Sequence, residues 1–146
     1  MTDQVKDYLR SVGEAKLDAQ RCKEKLRRLE SQATRVTSQL SDMPKGGGAG
    51  RNSLLAALGD IYKEYAEKLV RSEQTLSEVE EFINELPTVT SRVILKLRYC
   101  DGLDWNKVNR RLRAAGYYYE ERQIFNLHGL ALREARELYE EKHDKR

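Results

Sequence analysis

Cysteine, proline and long apolar runs are all scarce in this 146-residue chain, which has two cysteines and two prolines. No apolar stretch approaches the roughly 20 residues needed to cross a bilayer, and the first residues lack the apolar segment of a signal peptide. The cysteines Cys22 and Cys100 lie far apart without metal-ligand spacing, so we expect reduced thiols packed as small apolar side chains. These absences predict a cytoplasmic protein.

Patterns that support catalysis or metal binding are also lacking. The sequence has no nucleophile elbow and no His/Cys cluster with ligand spacing. Its two histidines, His128 and His143, are too far apart along the chain to suggest a metal pair. The glycine run at 46–48 is not followed by the Gly-Lys-Ser/Thr of a phosphate loop. We therefore expect no enzymatic activity, no cofactor and no metal.

The net charge of +3 is unevenly distributed along the chain. Residues 1–87 contain 14 Lys/Arg and 15 Asp/Glu, a net charge of 14 − 15 = −1. Residues 88–146 contain 13 Lys/Arg and 9 Asp/Glu, a net charge of 13 − 9 = +4. The excess positive charge favours a polyanionic partner for the C-terminal part.

Small or apolar residues recur in alternating steps of three and four through two long segments, a rhythm typical of coiled-coil helices. The first series is Val5, Tyr8, Val12, Ala15, Ala19, Cys22, Leu26, Leu29, Ala33, Val36 and Leu40. The second series is Leu55, Leu58, Tyr62, Tyr65, Leu69, Ser72, Leu76, Val79, Ile83 and Leu86. The two patterns predict helices near 3–40 and 53–86.

Residues 41–53, which include Pro44 and four glycines, separate the two series and predict a hinge. Ser53 can cap the second helix, and Pro87 is expected to end it. We therefore predict an antiparallel coiled-coil hairpin over residues 1–87, with Ala33 facing Tyr62 across the seam. One narrow seam leaves apolar edges uncovered, so we also expect homo-oligomerisation through the hairpin.

From residue 88 onward the pattern changes to shorter helices separated by tight turns. Thr90 or Ser91 can cap a first helix that ends near Tyr99, and Asp101-Gly102 is a turn signal. Asp104 is a suitable N-cap for a second helix, which Gly116 ends, and a third helix begins near Glu120. Its predicted inner face consists of Ile124, Leu127, Ala131, Ala135 and Leu138. This arrangement predicts a helix-turn-helix domain over residues 88–146.

Three short motifs in this region carry a resemblance to a known family. They are Arg-Tyr-Cys-Asp-Gly-Leu-Asp-Trp at 98–105, Arg-Gln-Ile at 122–124 and His-Gly-Leu-Ala-Leu at 128–132. The chain resembles small phage and prophage proteins with a sigma-factor region 4-like helix-turn-helix, related to RinA/ArpU-type late-transcription regulators. The resemblance implies binding to double-stranded phage DNA near a promoter and contact with host RNA polymerase. Asn109 and the long turn at 116–119 depart from the family pattern.

The outer face of the third helix offers side chains that suit base recognition, because arginine pairs with guanine, and glutamine or asparagine with adenine. These candidates are Tyr119, Arg122, Gln123, Asn126 and Arg133. The second helix carries cations that can hold phosphates. These are Lys107, Arg110, Arg111 and Arg113.

Three functions are compatible with this pattern. The leading one is a sequence-specific DNA-binding transcriptional regulator. A DNA-packaging adaptor, similar to a small terminase subunit, would also combine a helix-turn-helix with helical oligomerisation and would form a large ring. A protein-interaction module that has lost DNA binding is the third, and binding to random duplex DNA would separate it from the other two.

Overall fold

The computed structural model describes the backbone of residues 3–40 and 48–144, and the side chains of 3–38 and 52–144. All regular elements in these ranges are helical, which confirms the prediction of an all-α protein. The elements are α1 (Gln4–Leu40), α2 (Gly48–Asn84), α3 (Val89–Leu95), a π-helical turn (Lys96–Cys100), α4 (Trp105–Ala114) and α5 (Glu121–Asp144). Among the helices described, none combines the length and apolarity that a transmembrane helix needs.

Packing divides the chain into two compact units. Unit 1 comprises Met1–Ala15 and Thr75–Arg146, and unit 2 comprises Lys16–Gln74. Both α1 and α2 run through the division, so the predicted boundary at residue 87 does not coincide with it. The reason is that one end of each long helix packs with the C-terminal helices.

The main core of unit 1 joins these helix ends to the π-helical turn and α5. Its buried residues are Val5, Leu9, Val12, Val79, Phe82, Ile83, Leu86, Leu95, Cys100, Ala131, Leu132 and Ala135. At its edge the ring of Tyr8 meets that of Phe82 at 5.1 Å and that of Tyr139 at 5.6 Å. An ion pair between Lys142 and Glu85, at 2.7 Å, further connects α5 to the end of α2.

A second, smaller core in unit 1 consists of the buried residues Ile94, Val108, Leu112 and Ile124. Ile94 belongs to α3, Val108 and Leu112 belong to α4, and Ile124 belongs to α5, so this core holds the three helices together. Leu127 packs against it from α5, as the predicted inner face requires.

Unit 2 contains the C-terminal part of α1 and the N-terminal part of α2, which contact each other along a narrower seam. Ala19, Cys22 and Leu29 are buried there. Lys23 forms an ion pair with Glu73 at 3.6 Å, and the Tyr62 hydroxyl donates to the Glu30 carboxylate at 3.0 Å. Residue numbers therefore rise along α1 as they fall along α2. The predicted facing pair Ala33 and Tyr62 lines a shared groove.

Several predicted helix ends need correction. Helix α2 begins at Gly48, so Ser53 lies inside the helix and does not cap it. A glycine in a helix costs only about 1 kcal/mol relative to alanine, and the run Leu-Leu-Ala-Ala-Leu at 54–58 favours extending the helix toward its N-terminus. Residues 41–47 of the predicted hinge, which include Pro44, lie outside the described residues.

Around Pro87 the predictions were closer. Helix α2 ends at Asn84, shortly before the proline. Helix α3 begins at Val89, so the prediction that Thr90 or Ser91 caps it was wrong, and both residues lie inside the helix. The Thr88 hydroxyl does not cap the helix, because it donates to a carboxylate oxygen of Glu134. Ser91 is buried in unit 1 and lies inside the helix.

Candidate nucleic-acid interface

Helix α4 is a short, basic helix with a well-formed start. The Asp104 carboxylate accepts a hydrogen bond from the backbone N–H of Lys107 at 2.9 Å, which confirms its prediction as the N-cap. Val108 and Leu112 are buried in the smaller core of unit 1. The four cations predicted to hold phosphates are all exposed: Lys107, Arg110, Arg111 and Arg113.

The C-terminus of α4 is fixed by a Schellman motif, in which the backbone turns back at a left-handed glycine. Gly116 has a φ of 93° and its N–H donates to the Arg113 carbonyl at 3.0 Å. The N–H of Tyr117 donates to the Leu112 carbonyl at 2.8 Å. Gly116 therefore ends the helix as predicted, and the backbone direction after α4 is well defined.

Three consecutive tyrosines follow this turn and alternate in direction. The rings of Tyr117 and Tyr119 stack at 6.1 Å between centroids and pack against the smaller core. Tyr118 lies between them and is 79% exposed. Tyr119 was predicted on the outer face of the third helix, but it precedes α5 and its ring is half-buried. Because Tyr119 lies before the helix, the helical spacing that placed it on the outer face does not apply to it.

Gln123 was predicted to read a base, and the structure gives its side chain another role. Its amide oxygen accepts a hydrogen bond from the backbone N–H of Glu120 at 2.9 Å. Glu120 immediately precedes the first residue of α5, so Gln123 closes the reciprocal half of a capping box. The side chain is exposed, and its amide oxygen is engaged in one hydrogen bond at the start of the helix.

The remaining predicted base readers lie on one exposed face of α5. Arg122, Asn126 and Arg133 follow one another at spacings of four and seven residues, so they form a single stripe along the helix. The buried residues of α5 occupy other positions around the helix: Ile124, Ala131, Leu132 and Ala135. We call the three exposed residues, together with Gly129 between them, the outer stripe of α5.

A cluster of aromatic and basic side chains connects α4 to α5 and to the π-helical turn. The Arg98 guanidinium lies over the Trp105 ring at 4.7 Å and donates to the Leu103 carbonyl at 3.0 Å. The Trp105 ring meets His128 edge to face at 4.7 Å, and His128 Nε2 lies 3.0 Å from the Tyr99 hydroxyl oxygen. Together these contacts fix the start of α4 against the middle of α5.

The environment of His128 favours the neutral form of its imidazole ring. Burial lowers the pKa of His128 to about 4, and the charges of Lys6 and Arg98 act in the same direction. Burial also raises the pKa of the Tyr99 phenol. Sequence reasoning missed this cluster. Arg98 and Trp105 lie in the family-like motif at 98–105, and His128 lies in the motif at 128–132. Such motifs can contain side chains that hold helices together as well as side chains that bind DNA, and that was the signal for this cluster.

Asn109 was noted as a departure from the family pattern, and it is also unusual in its contacts. Among the described residues its side-chain oxygen is buried without a hydrogen-bond partner. An unsatisfied buried polar group costs about 1–3 kcal/mol. The small cleft beside it is lined by Asn106, Glu121, Phe125 and two core residues. Asn109 therefore adds a polar side chain to the packing between α4 and α5.

Known proteins provide no comparison for this geometry. No family model, no curated protein and no solved structure matches the chain. In the described part of the chain, no three His, Cys, Asp or Glu side chains come together as metal ligands would. The functional interpretation therefore depends on the charge and exposure of α4 and α5.

Proposed function

We propose that this chain binds double-stranded DNA through α4 and α5 and acts as a phage- or prophage-type transcriptional regulator. The observation that carries the proposal is a set of six exposed cations on these two helices. They are Lys107, Arg110, Arg111, Arg113, Arg122 and Arg133. Within the described residues none of them forms an ion pair.

Four other cations of unit 1 have partners inside the fold. Arg136 pairs with Asp3, and Lys142 pairs with Glu85. Arg92 donates to the Leu86 carbonyl at 2.5 Å, and Arg98 stacks on Trp105. Helix α4 contains four cations and no carboxylate, so nothing within that helix neutralises its charge. A polyanion that releases counterions on binding is the natural partner for such a surface.

The two helices suit a helix-turn-helix interpretation. Both pack on the same small core, and the Schellman turn after α4 and the capping box before α5 fix the connection between them. In this interpretation α5 enters the major groove with its outer stripe, and α4 crosses the phosphate backbone. Contact with host RNA polymerase belongs to the same proposal and depends on the resemblance to late-transcription regulators alone.

In the same proposal, unit 2 is a coiled-coil hairpin through which copies of the chain associate. Its seam leaves large apolar side chains exposed on α2, including Leu54 (49%), Ile61 (38%) and Val70 (54%). Exposed apolar surface of this kind is typical of interaction sites. A dimer would also match the two-fold symmetry common to DNA sites read by helix-turn-helix proteins.

The experiment that tests DNA binding is a salt titration of the affinity for random-sequence duplex. If α4 and α5 neutralise about five or six phosphates, log Kd should change with log salt concentration with a slope of magnitude about 4 to 6. Arg111→Ala should reduce that slope by about one. Arg35→Ala, which removes an exposed arginine of α1 in unit 2, is the matched control and should leave the slope unchanged.

Outcomes of the titration also separate the alternatives. Absence of duplex binding would contradict the proposal and favour a protein-interaction module. An equal effect of Arg35→Ala and Arg111→Ala would show that the charge effect is not localised to α4. Light scattering of the same samples should give a dimer or small oligomer, whereas a large ring would favour a packaging adaptor.

A further inference from the structure

The chain has two phenylalanines, and they differ sharply in exposure. Phe82 is 2% exposed in the main core of unit 1, whereas Phe125 is 43% exposed on α5. Phe125 lies three residues after Arg122 and four before Gly129, so its ring borders the outer stripe of α5. Its exposure at this border makes the ring available to a group that contacts the outer stripe.

Contacts beneath the ring show which edge of α5 it occupies. The Phe125 ring meets the Trp105 ring edge to face at 5.2 Å, with an interplanar angle of 76°. Trp105 belongs to α4, so Phe125 lies on the edge of α5 that faces the basic helix. Trp105 is itself held by Arg98 and His128. The exposed ring therefore packs on Trp105 at the edge of α5 that borders α4.

The next turn of the helix is open. Gly129 has no atom within 4 Å of the position that a Cβ would occupy, so no internal packing requires a glycine there. The surface beside Phe125 thus has room for a group that approaches the backbone of α5 closely.

We infer that Phe125 is a specificity-determining residue that contacts the C5-methyl group of thymine in the major groove. The inference depends on the proposed function and adds the base that this surface prefers. The thymine methyl is the apolar group that base edges display in the major groove, and an aromatic side chain contacts it favourably. Arginine and asparagine of the outer stripe recognise guanine and adenine, so Phe125 supplies the apolar contact that they lack.

The test replaces thymine with deoxyuridine, which removes the methyl group alone. A preferred duplex is first selected from a random library with the full-length wild-type protein, and each thymine is then replaced in turn. At one position the wild-type protein should bind about four-fold more weakly, as expected for losing the burial of one methyl-sized group. This comparison needs no variant, so it does not depend on how a substitution affects folding.

Two variants then assign the contact. Phe125→Ala should bind the thymine and deoxyuridine duplexes equally. Leu130→Ala is the matched control, because Leu130 is 41% exposed on the same helix but borders the opposite side of the outer stripe. It should keep the four-fold preference. Circular dichroism melting of both variants checks the fold.

The outcomes distinguish failure of the inference from failure of the proposed function. Equal binding of wild-type protein to every deoxyuridine duplex would overturn the inference and leave DNA binding intact. So would a folded Phe125→Ala variant that keeps the preference for thymine. If the wild-type protein selects no duplex at all, the proposed function fails and the inference fails with it.

Discussion

Unit 1 and unit 2 both contain parts of the long helices α1 and α2, yet the apolar faces of these helices are buried to different extents in the two units. In unit 1, Val5, Tyr8, Leu9 and Val12 follow the spacing i, i+3, i+4, i+7, and Val79, Phe82, Ile83 and Leu86 repeat it. In unit 2 the large seam residues of α2, such as Leu58, Tyr65 and Leu69, are only half-buried. A wide stripe packs against more than one partner, whereas a narrow seam packs against one. The width of the apolar stripe therefore marks where the C-terminal helices join the long ones.

Among the substitutions that distinguish the two units, we expect the loss of a buried leucine to have the largest effect on stability. Leu9→Ala in unit 1 removes a side chain that is fully buried, and we expect the free energy of unfolding to fall by about 2–5 kcal/mol. Leu26→Ala on the same helix removes a half-buried side chain in unit 2, and we expect less than about 2 kcal/mol. Urea unfolding followed by circular dichroism measures both. Equal losses would show that unit 2 is packed as tightly as unit 1.

Replacing an exposed helix glycine should have a smaller effect on stability, and it should distinguish a change in stability from a change in DNA binding. Gly129 on α5 and Gly59 on α2 are both exposed mid-helix glycines with open space where a Cβ would lie. Replacing either by alanine should raise the free energy of unfolding by about 0.5–1 kcal/mol, because alanine has the higher helix propensity. If α5 approaches DNA closely at Gly129, only Gly129→Ala should also weaken duplex binding. Thermal melts and fluorescence anisotropy on the same preparations measure the two properties. Unchanged binding by Gly129→Ala would rule out a close approach at that turn.

Much of the fold could be predicted from local signals. Asp104 as an N-cap and Gly116 as a helix end were correct because each depends on a few neighbouring residues. The start of α2 was wrong because glycine disfavours a helix by an amount that the apolar residues after it can offset. Participation of Leu9 and Phe82 in the core was missed because only alternate three- and four-residue steps were followed. The wider spacing i, i+3, i+4, i+7 includes both residues.

The candidate site was less predictable than the fold, for reasons that particular residues illustrate. Gln123 follows Glu120 by three residues, a spacing that indicates a capping box, yet its residue type also suits adenine recognition. Tyr119 was counted on a helix face, although the helix starts after it. The exposure of Phe125 was not predicted, because it depends on how α4 packs against α5. Such contacts between distant segments have no signature in a single sequence.

We propose that α4 contacts phosphates and that α5 contacts bases. The most direct test is to titrate two variants against both the selected duplex and random duplex. Phosphate contacts carry no sequence information, so Arg111→Ala should weaken binding to both duplexes by a similar factor. Base contacts mainly carry sequence information. Arg122→Ala should therefore weaken the binding free energy for the selected duplex by about 1–3 kcal/mol and leave random-duplex binding nearly unchanged. The ratio of the two affinities should therefore fall for Arg122→Ala alone. If neither variant changes binding to either duplex, α4 and α5 do not form the DNA-binding surface.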